Sequence, residues 1–330
     1  MILHPAIIAL LLSSGLMSIL VVYASWYGFR IVRKWDLGSG SSAQLELERR
    51  TYLISTILAY VFGFQLFSLF LYVYTADSLC TLFTGAMCAA GTLNVNGYGY
   101  PVLIFKLVNF LLAGFWLIVN YADNRGYDYP LIRFKYFFLI GLAPLLVEET
   151  VLQTRYFLGL HANIITSCCG TLFSSTGPSV ASDLSSFPAP AMKIAFVCSM
   201  SAVITSGIVF MWKGKGSYLL AAASAAALLV SLASLLSFIG PYIYELPTHH
   251  CPFCLLQKEY TYVGYPLYFA LLSGTVTGMG TGLLTPFRKR SSLAGVVPGL
   301  QKKLAAISVF SFALFTLIIM YRLATSNLVM

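Results

Sequence analysis

An all-α, polytopic integral membrane fold is what this sequence predicts, and three observations carry the prediction. Only 9% of the 330 residues are charged, where a soluble domain carries about a quarter. Apolar runs of about 20 residues, long enough to cross ~30 Å of hydrocarbon, recur along the whole length. These runs are continuous rather than alternating at every second residue. Each therefore reads as a helix that satisfies its own backbone hydrogen bonds in lipid, not as a barrel strand.

Eight spans follow in order. The first, 6–29, is too long for a signal-peptide core and carries its basic residues, Arg30, Arg33 and Lys34, after it. That pattern predicts an uncleaved helix with an outer N-terminus. The second to fourth lie at 52–75, 102–121 and 134–152, and the fifth and sixth at 191–211 and 218–240. The seventh, 263–284, sets Gly274, Gly278 and Gly282 four apart on one face. Small residues so spaced let helices approach closely, and the Ala/Ser-rich sixth span is the expected neighbour. The eighth lies at 304–323. No soluble domain fits between the spans, so residues 1–330 read as a single membrane domain.

Alternate loops differ in basic residues. One side holds 15 of the 20 Lys and Arg, among them Arg49, Arg50, Arg125, Arg133, Lys135 and the run Arg288-Lys289-Arg290. Basic residues are retained in the cytoplasm, which predicts that both termini face outward. The net charge of +9 is thus first a topology signal. It is scattered over short loops with no basic groove or module, which argues against nucleic-acid binding, and it suits contact with anionic membrane lipid. No Walker loop, dinucleotide fingerprint, HExxH or nucleophile elbow occurs, so nucleotide-driven pumping and hydrolase chemistry are not expected.

With that orientation the cysteines fall in a pattern. Cys80 and Cys88 lie in the first outer loop (76–101), Cys168 and Cys169 in the second (153–190), and Cys251 and Cys254 in the third (241–262). Only Cys198 sits within a span, where a lone thiol is expected as a small core hydrophobe. His4, His161, His249 and His250 also fall on the outer face. In a bacterial inner membrane this face is the periplasm, where disulfides persist.

The third loop reads THHCPFCLLQKEY. Cys251-Pro-Phe-Cys254 has the spacing at which one thiolate attacks a substrate disulfide and its neighbour resolves the intermediate. His249, His250 and Lys258 are the expected sources of positive charge for the thiolate. Pro252 bends the segment, and the start of the seventh helix is expected to add the pull of a helix N-terminus. The run Cys-Pro-Phe-Cys-Leu-Leu-Gln at the outer mouth of a helix resembles the C-x-x-C of the disulfide-bond-forming membrane oxidoreductases and the vitamin K epoxide reductase-like proteins. The resemblance, carried by this stretch alone, implies transfer of electrons from a periplasmic thioredoxin-like partner to membrane quinone through cysteine pairs on a helix bundle. It implies that Cys251 and Cys254 are the quinone-proximal pair and that another pair exchanges with the partner.

The vicinal Cys168-Cys169 is a poor disulfide, because a bond between neighbours strains the peptide. It suits two different partners, or one soft metal ion. Cys80 and Cys88 bracket a turn at Gly85, an ordinary small disulfide loop, and the following GTLNVNGYGYP has the Asn, Gly and Pro content of tight turns. At membrane depth stand Lys106, Glu148 and Glu149, with Glu259 just after the C-x-x-C. Each needs a partner or a wet cavity, and Lys106 paired with Glu148 or Glu149 is the simplest arrangement. Tyr242, Tyr244, Tyr260, Tyr262, Tyr265 and Tyr268 form an interfacial belt around the motif.

The leading expectation is a membrane thiol-disulfide oxidoreductase. Cys251 and Cys254 are its redox-active pair, Cys168 and Cys169 relay or accept electrons, and Cys80 with Cys88 is a staple or a second relay. The alternative is a protein that transports or delivers copper, zinc or mercury, with His249, His250, Cys251, Cys254, Cys168 and Cys169 as metal ligands. A third reading is a structural membrane subunit with disulfide-stapled outer loops.

Overall fold

A computed structural model describes residues 3–36, 38–39, 41–161, 164–166 and 187–328. Cys168 and Cys169 lie outside the described residues. The described chain is all-α, and eight of its helices are long and apolar enough to cross a membrane. They coincide with the eight expected spans and mostly run beyond them. The chain divides into two compact units.

The first unit takes Met1–Thr75, Asn96–His161 and Pro286–Val297. Its helices are α1 (Pro5–Lys34), most of α2 (Ser42–Ser78), α4 (Gly99–Asp123) and α5 (Ile132–Leu158). Helix α1 starts with Pro5 in its first turn and ends with Arg33 and Lys34, the cations that suit the negative end of a helix dipole. Helix α5 packs along α1 and α4. Their common core includes Met17, Val21, Phe62, Trp116, Tyr136 and Leu146. The Phe62 and Trp116 rings meet at 4.8 Å.

Two ion pairs are buried in this unit. Lys106 Nζ lies 2.7 Å from Glu149 Oε1 and also donates to Ser68 Oγ at 2.7 Å. Glu149 Oε2 accepts from Gln65 Nε2 and Asn109 Nδ2, each at 2.7 Å. Of the two candidate partners of Lys106, the structure selects Glu149; Glu148 is exposed. The second pair joins Lys135 to Asp123 at 2.7 Å. Asp123 Oδ1 accepts the Leu131 N–H at 2.8 Å, which closes the turn from α4 into α5. Lys135, counted above among the loop charges, is fully buried.

The second unit takes Ala76–Val95, Ala162–Thr285 and Pro298–Met330. It holds the short α3 (Ala89–Leu93), α6 (Ala189–Lys213), α7 (Ser217–Ser234), the short α8 (Gly240–Tyr244), α9 (Gly264–Leu283) and α10 (Val297–Thr325). Helix α6 ends at Gly214, whose φ of 65° supplies the left-handed cap. The glycine stripe acts as expected on two of its three positions. A Cβ at Gly278 would run into Ser224 Oγ, and one at Gly282 into Ala221, both on α7; Gly274 instead faces Phe312 and Ser311 of α10. Cys198 is exposed on α6 rather than packed in a core, because among the described residues none covers its face of that helix.

Candidate functional site

Two segments of the second unit build a thiol group. The first begins where α2 ends. After a single 3-10 turn at Cys80–Leu82, the chain reverses at Gly85, whose φ is 90°. A Cβ there would collide with the Thr166 carbonyl. Thr166 braces this loop at both ends, its N–H donating to Thr84 O at 3.1 Å and its Oγ1 to Gly91 O at 2.9 Å. Cys88 follows in extended conformation and leads into α3, all of whose residues are buried. The Ala89 N–H donates to Asp77 Oδ1 at 3.1 Å.

The second segment is the C-x-x-C. Cys251 is fully buried and Cys254 is 5% exposed, so both thiols are shielded from solvent. Cys254 opens a 3-10 turn, Cys254–Leu256. The next helix, α9, starts only at Gly264, because Thr261 and Tyr262 both adopt positive φ, 57° and 54°. The expected helix N-terminus is therefore not at the motif. Two buried phenols hold the loop instead. Tyr244 Oη donates to Cys251 O, and Tyr268 Oη to Pro252 O at 2.6 Å. Sequence reasoning took both tyrosines as belt residues.

The segments bring together a cysteine from each of two pairs. Cys88 Sγ lies 3.6 Å from Cys251 Sγ, about 1.5 Å beyond the ~2.05 Å of a disulfide bond. The sulfurs of Cys88, Cys251 and Cys254 all lie within 4.8 Å of one another, and all three residues are buried. Cys80, eight positions before Cys88, is half-buried.

The histidines take other places than expected. His249 stacks edge-on against Tyr244, with centroids at 4.5 Å. Burial pushes its pKa below the usual imidazole range, so at neutral pH it is uncharged and supplies no positive field. His250 turns its Nδ1 to Leu236 O at 2.7 Å. A carbonyl only accepts, so this nitrogen carries a proton. Leu236 sits in a π-helical turn, Leu235–Ile239, a widening that turns carbonyls out of the helix. Tyr260 packs on Tyr244 at 4.6 Å. Burial chiefly, with Cys254 and Glu259 nearby, raises its pKa, so the phenol stays protonated. His161 is exposed and His4 half-buried at the start of α1, both in the first unit.

Such a group has two chemical capacities. A thiolate at Cys88 is in contact with a sulfur of the C-x-x-C, the position from which thiol-disulfide exchange starts. Three thiolates around a d10 ion at ~2.3 Å would stand about 4 Å apart, which the group also approaches. Among the described residues, this is the group of three or more His, Cys, Asp or Glu side chains with metal-ligand spacing. Family models, curated proteins and solved structures contain no match to the chain.

Proposed function

We propose that this protein is an integral membrane thiol-disulfide oxidoreductase that carries electrons between a thioredoxin-like partner on the outer, periplasmic face and membrane quinone. The observation that carries the reading is the 3.6 Å contact of Cys88 with Cys251. A relay built from two pairs needs one sulfur of each pair in contact, and these are the two that meet. The excess of Lys and Arg on the opposite loops supports the outward placement of both pairs.

In the proposed cycle, a dithiol on the partner reduces a Cys80–Cys88 disulfide and is itself oxidised to a disulfide. Cys88 thiolate then attacks Cys251 in a Cys251–Cys254 disulfide, and Cys254 leaves as thiolate. Cys80 attacks Cys88, which restores the first disulfide and releases Cys251. The Cys251/Cys254 dithiol passes two electrons and two protons to the quinone, giving quinol and closing the cycle. Half-burial suits Cys80 to meet a protein partner, and burial of the other three keeps the intermediates from solvent thiols.

A second reading is favoured by one observation, the convergence of three sulfurs rather than two. It is binding of a soft ion, copper, zinc or mercury, by Cys88, Cys251 and Cys254. Thiol alkylation with mass tagging on native membranes separates the readings. The relay predicts that Cys251 and Cys254 become reduced when quinone is depleted and reoxidised when it is restored. Metal binding predicts thiols that stay reduced and are shielded by added Cu(I), and a static staple predicts oxidised thiols indifferent to both. If Cys251→Ala leaves the oxidation of every partner thiol unchanged, the relay is wrong.

A further inference from the structure

Hydrogen bonds engage the peptide groups on both sides of Cys88 and link its loop to the C-x-x-C loop. Before Cys88, the Met87 carbonyl accepts from Gln257 Nε2 at 2.7 Å. After it, the Ala89 N–H donates to Asp77 Oδ1 at 3.1 Å. The two ties are themselves joined, since Gln257 Nε2 also donates to Asp77 Oδ1 at 3.2 Å. Gln257 belongs to the other loop, three residues after Cys254, and its own N–H donates to Cys254 O at 3.1 Å. The hydrogen bonds thus close a ring that runs from Asp77 through Ala89, Cys88, Met87 and Gln257 back to Asp77.

We propose that Asp77 and Gln257 are positioning residues that set the gap between Cys88 and Cys251. The proposal rests on the relay reading for its purpose, but on the ring alone for its geometry. The chemistry asks for a donor and an acceptor at defined places. Gln257 supplies an N–H to two oxygens, and Asp77 supplies one oxygen to two N–H groups. The hydrogen bonds of the ring run to backbone and side-chain oxygens. Each residue acts through the backbone on either side of Cys88, and a misplacement of about 1 Å is enough to cost on the order of a hundredfold in rate.

The substitutions separate geometry from charge. Asp77→Asn keeps an acceptor oxygen and loses the charge, so the ring persists. Asp77→Ala and Gln257→Ala open it. Gln257→Glu places a carboxylate against Asp77 and the Met87 carbonyl, so it opens the ring by repulsion.

The test uses the full-length protein in detergent, with Cys80, Cys168, Cys169, Cys198 and Cys254 replaced by serine so that Cys88 and Cys251 alone remain. The probe is dibromobimane, which becomes fluorescent once it bridges two thiols, and the readout is bridging yield in monodisperse protein. We expect bridging in this parent, its retention in Asp77→Asn, and a drop of about tenfold or more in Asp77→Ala, Gln257→Ala and Gln257→Glu. Unchanged bridging in the two alanine variants overturns the proposal, and so does an equal loss in Asp77→Asn, which would make the charge rather than the ring responsible. A parent that does not bridge overturns the clamp and the relay together. Bridging that follows the expected order, in a protein whose native form shows no quinone-linked thiol oxidation, sinks the relay and leaves the clamp standing.

Discussion

The two units each bury a polar centre in an apolar helix bundle, and they satisfy it in opposite ways. In the first unit, Lys106 and Glu149 are charged groups with hydrogen-bond partners on every side: Ser68, Gln65 and Asn109 complete what the pair begins. A centre whose charges are paired and hydrogen-bonded in this way acts as a bolt across α2, α4 and α5. In the second unit, the sulfurs of Cys88, Cys251 and Cys254 lie within 4.8 Å of one another, and Cys88 is in contact with Cys251. There Tyr244, Tyr268, Asp77 and Gln257 hold the backbone beside the sulfurs. Burial alone therefore does not mark a functional centre. In the first unit hydrogen bonds end on the charged atoms themselves, and in the second those of Tyr244, Tyr268 and Gln257 end on main-chain oxygens beside the sulfurs.

The contrast is broken or sharpened by substitution. The largest effect is expected in the first unit: Lys106→Met leaves Glu149 buried without its cation and lowers stability by about 3–5 kcal/mol. Adding Glu149→Met removes the stranded charge and recovers most of that loss, as measured by thermal unfolding in detergent. Full stability without thiol turnover in the double variant would show that the pair does more than hold helices. Next, Gly278→Leu forces a side chain into Ser224 on α7 and costs about 1–3 kcal/mol by overpacking, read in the same assay. Tyr268→Phe removes one hydrogen bond to Pro252 O and costs only about 0.5–1.5 kcal/mol. Its effect on bridging of Cys88 to Cys251 should nevertheless exceed that of either first-unit substitution.

The smallest effect concerns pH. Burial depresses the His249 pKa in the folded state, so the unfolded chain takes up the proton first as pH falls through ~6.5. Stability is then complete above that pH and declines between the unfolded and the folded pKa. His249→Asn should flatten this acid limb in a pH series of unfolding midpoints. An unchanged limb would assign it to another group.

The bundle was legible in the sequence because a helix in lipid needs only its own apolar run, a local property. The gathering of cysteines into loop pairs was legible for the same reason. Lys106 and Glu149 could be named as partners, since an intramembrane charge has few others, but the choice against Glu148 depended on which face of α5 turns inward. The thiol group itself was not legible. Cys88 and Cys251 are 163 residues apart, and nothing local distinguishes their meeting from a meeting with Cys168 or Cys169. Asp77 drew no reading from the sequence, and Gln257 stood only as the tail of a motif. The helix expected at the C-x-x-C failed because Thr261 and Tyr262, neither a residue that favours positive φ, are held there by the fold.

The central claim is that Cys88 exchanges with Cys251, and trapping the intermediate tests it most directly. In the double variant Cys80→Ser/Cys254→Ser, diamide oxidises the Cys88 and Cys251 thiols, taking up their two electrons and two protons as the hydrazine, and neither pair keeps a second thiol to resolve the new bond. Peptide mapping of the protein isolated from acid-quenched membranes should then find Cys88 joined to Cys251. Finding Cys251 joined to another cysteine, or Cys88 and Cys251 both still reduced after the oxidant, would contradict the account.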